Sequence, residues 1–203
     1  IPLGIFSARK SGKLTDMAST LFSAAGISMP VFWLALLVQY VFFFKLGWIP
    51  GIGRIDAGLS PPARITGLYT VDSLITGNAP VLISALTHII APSFTLAFNT
   101  LAIISRQTRA NVLKALHQEY IRAAKAKGVP PRQIFFKHAF RNALIPVITV
   151  VGLTFGGLMS GTFLVEVIFS WPGWCKYAVE AIISFDFPAI IGATLGTAFL
   201  YAI

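Results

Sequence analysis

Glu119, Ala123, Ala124 and Gly128 are the residues whose types and spacing are best suited to recognition, and they sit in one run, EYIRAAKAKGVPPRQIFFKHAFRNALIP, from Glu119 to Pro146. Side chains as short as alanine and glycine let another surface approach the backbone, and Glu119 offers a charge-assisted contact to a basic group on that surface. Bond-making chemistry has fewer footholds. A Gly-x4-Gly-Lys-Ser/Thr loop, whose backbone amides would cradle ATP phosphates, does not occur in the sequence. Ser160 and His88 are the pair a membrane-embedded serine protease would need, yet no nucleophile motif surrounds Ser160. Cys175 is the single cysteine, which excludes an intrachain disulfide and reads as a packing or loop residue. No acidic or His-rich cluster in the apolar stretches suits a bare metal ion, so no cofactor is expected.

Two helical pieces must position the recognition residues. Asn111 to Lys127 reads as one short helix, with Val112, Leu116, Tyr120 and Ala123 or Ala124 recurring at helical spacing and Lys114, His117, Arg122 and Lys125 between them. Gly128 ends that helix, and Pro130-Pro131 forbid its continuation. A second amphipathic piece carries Ile134, Phe135, Phe136, His138 and Phe140 among Arg132, Lys137 and Arg141, and leads into an apolar span opening at Pro146. The pattern is helix, tight turn and helix against a membrane.

Ala123-Ala124-x3-Gly128, with Glu119 ahead and Ile145-Pro146 behind, resembles the signature loop of membrane subunits of ABC importers. The wider EYIRAAKAKG…FKHAFRNALIPV resembles the peptide, nickel and glutathione permease branch, and within it the dipeptide-type permeases. Arg122 stands where the general pattern has an acid, the acid being at Glu119, and Gly128 lies farther from Pro146 than in the broad superfamily; both features resemble the peptide branch itself. The bland alternative is a basic amphipathic loop lying on anionic lipid.

Composition points the same way. Only 11% of the residues are charged, against about 25% in soluble domains, and the mean hydropathy is +0.77. The expected class is therefore an all-α, polytopic transmembrane helical bundle. The formal charge of +9 gathers in loops between apolar spans and not along one soluble face, so membrane topology explains it and no nucleic-acid partner is expected. No signal peptide is visible, and the chain reads as beginning and ending within spans.

In chain order, residues 1–8 read as the tail of a helix followed by the cations Arg9, Lys10 and Lys13. A first complete span is expected from about Met17 to Phe44, with Ser28-Met29-Pro30 marking a kink or late start. Its Gln39 either faces a translocation path or bonds to a neighbouring helix. An external loop is expected over 47–85, net neutral over Arg54, Asp56, Arg64 and Asp72, with a short helix near 71–75. Residues 86–105 read as the second span, bearing His88, Pro92 and Asn99, with His88 expected as an interfacial histidine; Arg106 and Arg109 follow as anchors. Residues 106–141 hold nine Lys or Arg against the single Glu119, which assigns them to the cytosol as a coupling loop.

The third span is expected from Ala143 to about Val165. Gly152, Gly156, Gly157 and Gly161 would permit close helix contact within this chain, with a second subunit, or along the path. Glu166, Trp171, Pro172 and Gly173 form an external rim, Glu166 being read as slightly more structural than functional. Phe169-Ser170-Trp171-Pro172-Gly173 resembles a motif of the same family; beyond it Trp174-Cys175 and Phe185-Asp186-Phe187-Pro188 depart from the usual pattern. A surface or re-entrant helix is expected over 176–186, and a last, incomplete span from Pro188.

The resemblance covers nearly all 203 residues. It implies a partial type I transmembrane domain of an ABC importer, one permease domain over 1–203 with the ends of two spans missing, in the inner or cytoplasmic membrane of a bacterium or archaeon. It further implies a second permease subunit, two ATP-hydrolysing subunits docked on the 119–146 loop, an external solute-binding protein, and a short peptide as cargo, with nickel complexes, glutathione or another small solute as alternatives. The chain itself would not be an enzyme. A secondary transporter would place ionisable residues at mid-membrane to couple ions, and the predicted spans hold none there. A non-transport scaffold would need no cytosolic lever.

Overall fold

Proline, glycine and extended cap residues set most of the element boundaries. The computed structural model describes residues 1–159 and 162–202, and among these the chain is helical without β-strands. Helix α1 is Pro2–Arg9 and α2 is Leu14–Ser28. Met29 is extended (φ −82°, ψ 124°), as the residue before a proline tends to be, and α3, Val31–Val38, starts after it and widens into a π-type turn over Gln39–Lys45. The expected Met17–Phe44 span is thus two helices, broken where Pro30 predicts a kink. α4, Tyr69–Ile75, matches the short helix expected in the connection.

The next segment corrects the sequence reading. α5 runs unbroken over Ala79–Leu116, 38 residues with Pro92 inside, joining the expected 86–105 span to the start of what reads as a separate helix from Asn111. No glycine or proline lies between Ser105 and Leu116, and Gln, Arg, Lys, Ala and Leu there favour continued helix. The break falls instead at His117-Gln118, where Gln118 is extended (ψ 152°), and α6, Glu119–Ala126, follows. A break resets helical phase. Ile121 is consequently fully buried, and Tyr120, expected on the inward face, is 40% exposed.

α7, Pro131–Gln133, opens a helical stretch that passes through a π-type segment, Ile134–Phe140, into α8, Arg141–Met159. Pro146 therefore lies inside a helix and does not open it. The expected Ala143–Val165 span also divides: Thr162 is extended (φ −131°, ψ 101°), as an N-cap threonine is, and α9, Phe163–Ile168, starts after it. Ser160 and Gly161 lie outside the described residues. α10 is Trp174–Ile183 and α11 is Phe187–Ala202. Two stretches, Ala79–Leu116 and Pro131–Leu158, are each long and apolar enough to cross a membrane, and the α2–α3 pair makes a third if it counts as one broken span.

The chain forms two compact units. In the first, residues 1–29 and 98–156, a core of Ala8, Val112, Ala115, Ile121, Ile134, Phe135, Ala139 and Ala143 ties α1, the end of α5, α6 and the helical stretch after Pro131 together. α2 lies close along α5: a Cβ on Gly26 would come within 2.5 Å of the Ala102 Cβ, and the Phe22 and Phe98 rings meet edge to face at 5.0 Å. In the second unit, residues 30–97 and 157–203, Ala35, Val38, Ala91, Val165 and Phe169 form the core.

Candidate functional site

The turn after α6 is built from backbone hydrogen bonds that only a left-handed residue completes. Val129 N–H donates to the Ala124 carbonyl at 3.2 Å and Gly128 N–H to the Lys125 carbonyl at 3.0 Å, the paired bonds of a Schellman ending. Gly128 supplies the required φ of +76°. A Cβ there would meet nothing within 4 Å, so the restriction within this chain is backbone conformation alone. The Gly128 position, Ala123 and Glu119 are exposed, and Glu119 pairs with Arg122 at 3.0 Å across a solvated surface. Ala124 differs from Ala123. It is half-buried against the first unit's core, as Val129 is.

Ile121 plugs α6 into that core from the opposite side, at 0% exposure. The result is a short helix with one face sealed to α1, α5 and the helix after Pro131, and another presenting Glu119, Ala123 and the glycine turn. Beside it, the Arg9 guanidinium lies 5.1 Å from the centre of the Phe135 ring and 5.9 Å from that of Phe136, which keeps a cation on the apolar wall next to the turn.

The other residues read as candidates are held in different ways. Gln39 is half-buried and donates to the Ile168 carbonyl at 3.4 Å. Asn99 donates to the Gly26 carbonyl at 2.8 Å, linking α5 to α2. Gly152 is exposed with no atom near a notional Cβ, Gly156 is buried, Gly157 has the Tyr201 hydroxyl 3.8 Å away, and Gly161 is outside the described residues. The Glu166 carboxylate accepts from Lys176 N–H at 2.6 Å and Cys175 N–H at 3.4 Å, capping α10 at the end where the helix dipole favours an anion. Gly173 lies directly against that carboxylate, and a Cβ would collide with it. Trp171 N–H donates to the Glu166 carbonyl at 2.7 Å, and Pro172 completes the turn.

Four polar hubs were not legible as such. Asp16, one residue before the expected start of the first span, is 5% exposed and accepts both Arg109 Nε at 2.6 Å and Nη2 at 2.8 Å, with Ser7 Oγ at 2.5 Å and Gly12 N–H at 2.9 Å. Arg109, expected as an anchor, is also an ion-pair partner. His88, expected at an interface, is 5% exposed; Nδ1 contacts the Ser84 carbonyl at 2.7 Å and Nε2 lies 3.9 Å from Asp56, which Ser84 Oγ also bonds at 2.6 Å. Arg54 stacks 3.7 Å from the Tyr69 ring centre and donates to the Gly67 carbonyl. Asp72 accepts from Thr66 N–H and Oγ1, both at 2.7 Å, and Gly67 N–H at 3.0 Å; burial alone would raise its pKa, but these donors outweigh it and hold the carboxyl below its usual range. The available signal was a lone acid at an apolar border facing an arginine on another helix, which calls for a partner.

Over residues 1–203 the chain matches the protein family described as binding-protein-dependent transport system inner membrane component. It is 43% identical over 203 residues to the probable D,D-dipeptide transport system permease protein of Escherichia coli (strain K12), covering 100% of this chain and 60% of that protein. It is 42% identical over 200 residues to the dipeptide transport system permease protein of Alkalihalophilus pseudofirmus, covering 98% of this chain and 60% of the relative. The oligopeptide transport system permease protein of Bacillus subtilis (strain 168) is 34% identical over 203 residues, 100% of this chain and 58% of its own length. The chain thus spans about three fifths of the curated relatives it matches.

Proposed function

Because this chain belongs to the family of binding-protein-dependent transport system inner membrane components, we propose that it is the membrane-spanning part of a permease subunit in an ATP-driven importer of short peptides, in a bacterial inner membrane. The relatives named for dipeptide and oligopeptide transport support the peptide class, as does the loop sequence. Hydrolysis of ATP belongs to separate subunits, two of which dock on the cytosolic face; a second permease and an external solute-binding protein complete the assembly.

One observation carries the coupling role. α6 presents Glu119, Ala123 and the Gly128 turn outward while Ile121 fixes its other face into the core shared by α1, α5 and the helix after Pro131. A push on the exposed face therefore reaches two membrane-spanning helices through close-packed side chains, which transmit displacement because such interiors yield little. Residues 106–141 act as the cytosolic coupling loop and 47–85 as the external one, with the nine-to-one charge bias as support. The direct test is purification of the full-length protein from its native membrane. ATP-hydrolysing subunits that co-purify, with uptake of labelled dipeptide into reconstituted vesicles, are the expected result; uptake of nickel without peptide would reject the cargo, and a chain that purifies without any ATPase would reject the importer.

A further inference from the structure

Ser105 is 2% exposed, and its hydroxyl oxygen has no hydrogen-bond partner among the described residues. A buried hydroxyl in that state carries a desolvation penalty. It lines a cavity of about 370 Å³ in the first unit, between α2 and α5, together with Ser19, Thr20, Ser23, Arg106, Arg109 and two alanines. Every polar lining group there can donate a hydrogen bond, and no acid lines the cavity.

The charge balance narrows the ligand. Arg109 is already committed to Asp16 through two bonds, which fixes its guanidinium at the cavity wall. Arg106, which is exposed, makes no ion pair among the described residues, so the cavity has one unpaired cation beside its four hydroxyls. Hydroxyl donors converging with a planar guanidinium are the chemistry that holds a carboxylate or phosphate.

We infer that this cavity is an oxyanion subsite, holding the terminal carboxylate of a short peptide or the phosphate of an anionic lipid headgroup. The peptide source rests on the permease reading above; the oxyanion chemistry does not.

The test reads occupancy, not transport or ATPase docking, so its failure leaves the permease reading standing. In the full assembly, with Cys175→Ser as background, Ser105→Cys is labelled by a small thiol reagent in phosphatidylcholine nanodiscs. Thr20→Cys, at the exposed mouth, serves if the buried variant does not fold. With dialanine at about ten times its Kd, labelling slows about tenfold, because only unliganded sites react. Inorganic phosphate also protects, dialanine amide does not, and Arg106→Gln abolishes protection while Arg106→Lys keeps part of it. Protection confined to nanodiscs containing phosphatidylglycerol supports the subsite with the headgroup as its occupant. Equal protection by the amide, protection surviving Arg106→Gln, or no protection under any condition overturns the inference.

Discussion

Asp16 holds more of the first unit together than any other polar side chain, because it satisfies Ser7, Gly12 and Arg109 at once. Asp16→Asn leaves the Arg109 guanidinium without its counter-charge in a partly buried place, so it should destabilise by about 2 kcal/mol, with a lowered Tm in detergent. Adding Arg109→Gln should recover part of that loss, which a double-mutant cycle measures. Asp72 gives a pH dependence of definite sign. Its carboxyl is held below the ordinary value of about 3.9, so its stabilisation is present above that pH and disappears as the pH falls below it. The protection factors of the Thr66 and Gly67 amides should therefore fall under acid, and in Asp72→Asn they should be low at every pH. At the N-terminus of α10, Gly173→Ala should push the Glu166 carboxylate off the helix at a cost of about 1–3 kcal/mol, seen as faster exchange of the Lys176 amide. Of these residues the sequence singled out Gly173, because a motif contains it, and Glu166, because it is a carboxylate at the end of an apolar span. Asp16 and Asp72 escaped because their partners lie 93 and 6 positions away, with no local pattern joining them.

Among elements, α6 shows what periodicity can and cannot tell. Its end was legible, since Gly128 before two prolines admits few conformations. Its inward face was not: one extended residue, Gln118, shifted the phase, and Ile121 took the buried place expected of Tyr120. The same limit applies to α5 and to the helix after Pro131, where residues 105–116 and 131–145 continue the helices into loops that their charge alone marks off. Ile121→Ala should detach α6 from its seat at about 2–5 kcal/mol, raising proteolysis within 117–130 while both long helices stay inserted. The structure also changes which alanine probes docking. Ala124→Leu would overpack this chain's own core, whereas Ala123→Leu adds bulk only to the exposed face.

At the scale of the molecule, large apolar side chains on the crossing helices stand exposed, among them Ile83 and Ile90 on α5 and Ile145, Ile148, Leu153 and Phe155 on α8. Lipid or partner helices must cover them, as expected of a membrane component that matches its family along its whole length. The helical class and its membrane setting were plain from composition; the two-unit packing was not, because helix pairing depends on small-residue contacts such as Gly26 on Ala102, which carry no hydropathy signal. The central claim is that the exposed face of α6 couples this chain to ATP hydrolysis. The most direct measurement is Gly128→Leu in the reconstituted full-length assembly, scored for ATPase association and for peptide-stimulated hydrolysis, with membrane insertion checked separately. With no atom of the described residues beyond its chain neighbours within 4 Å of a Cβ there, the substitution adds about 1–2 kcal/mol of backbone strain at an exposed helix end. Insertion should therefore persist while association and stimulated hydrolysis are lost. Normal association and normal stimulation in Gly128→Leu, with both lost instead on neutralising Arg122, Lys125 and Lys127, would contradict the account and leave the loop as a belt on anionic lipid.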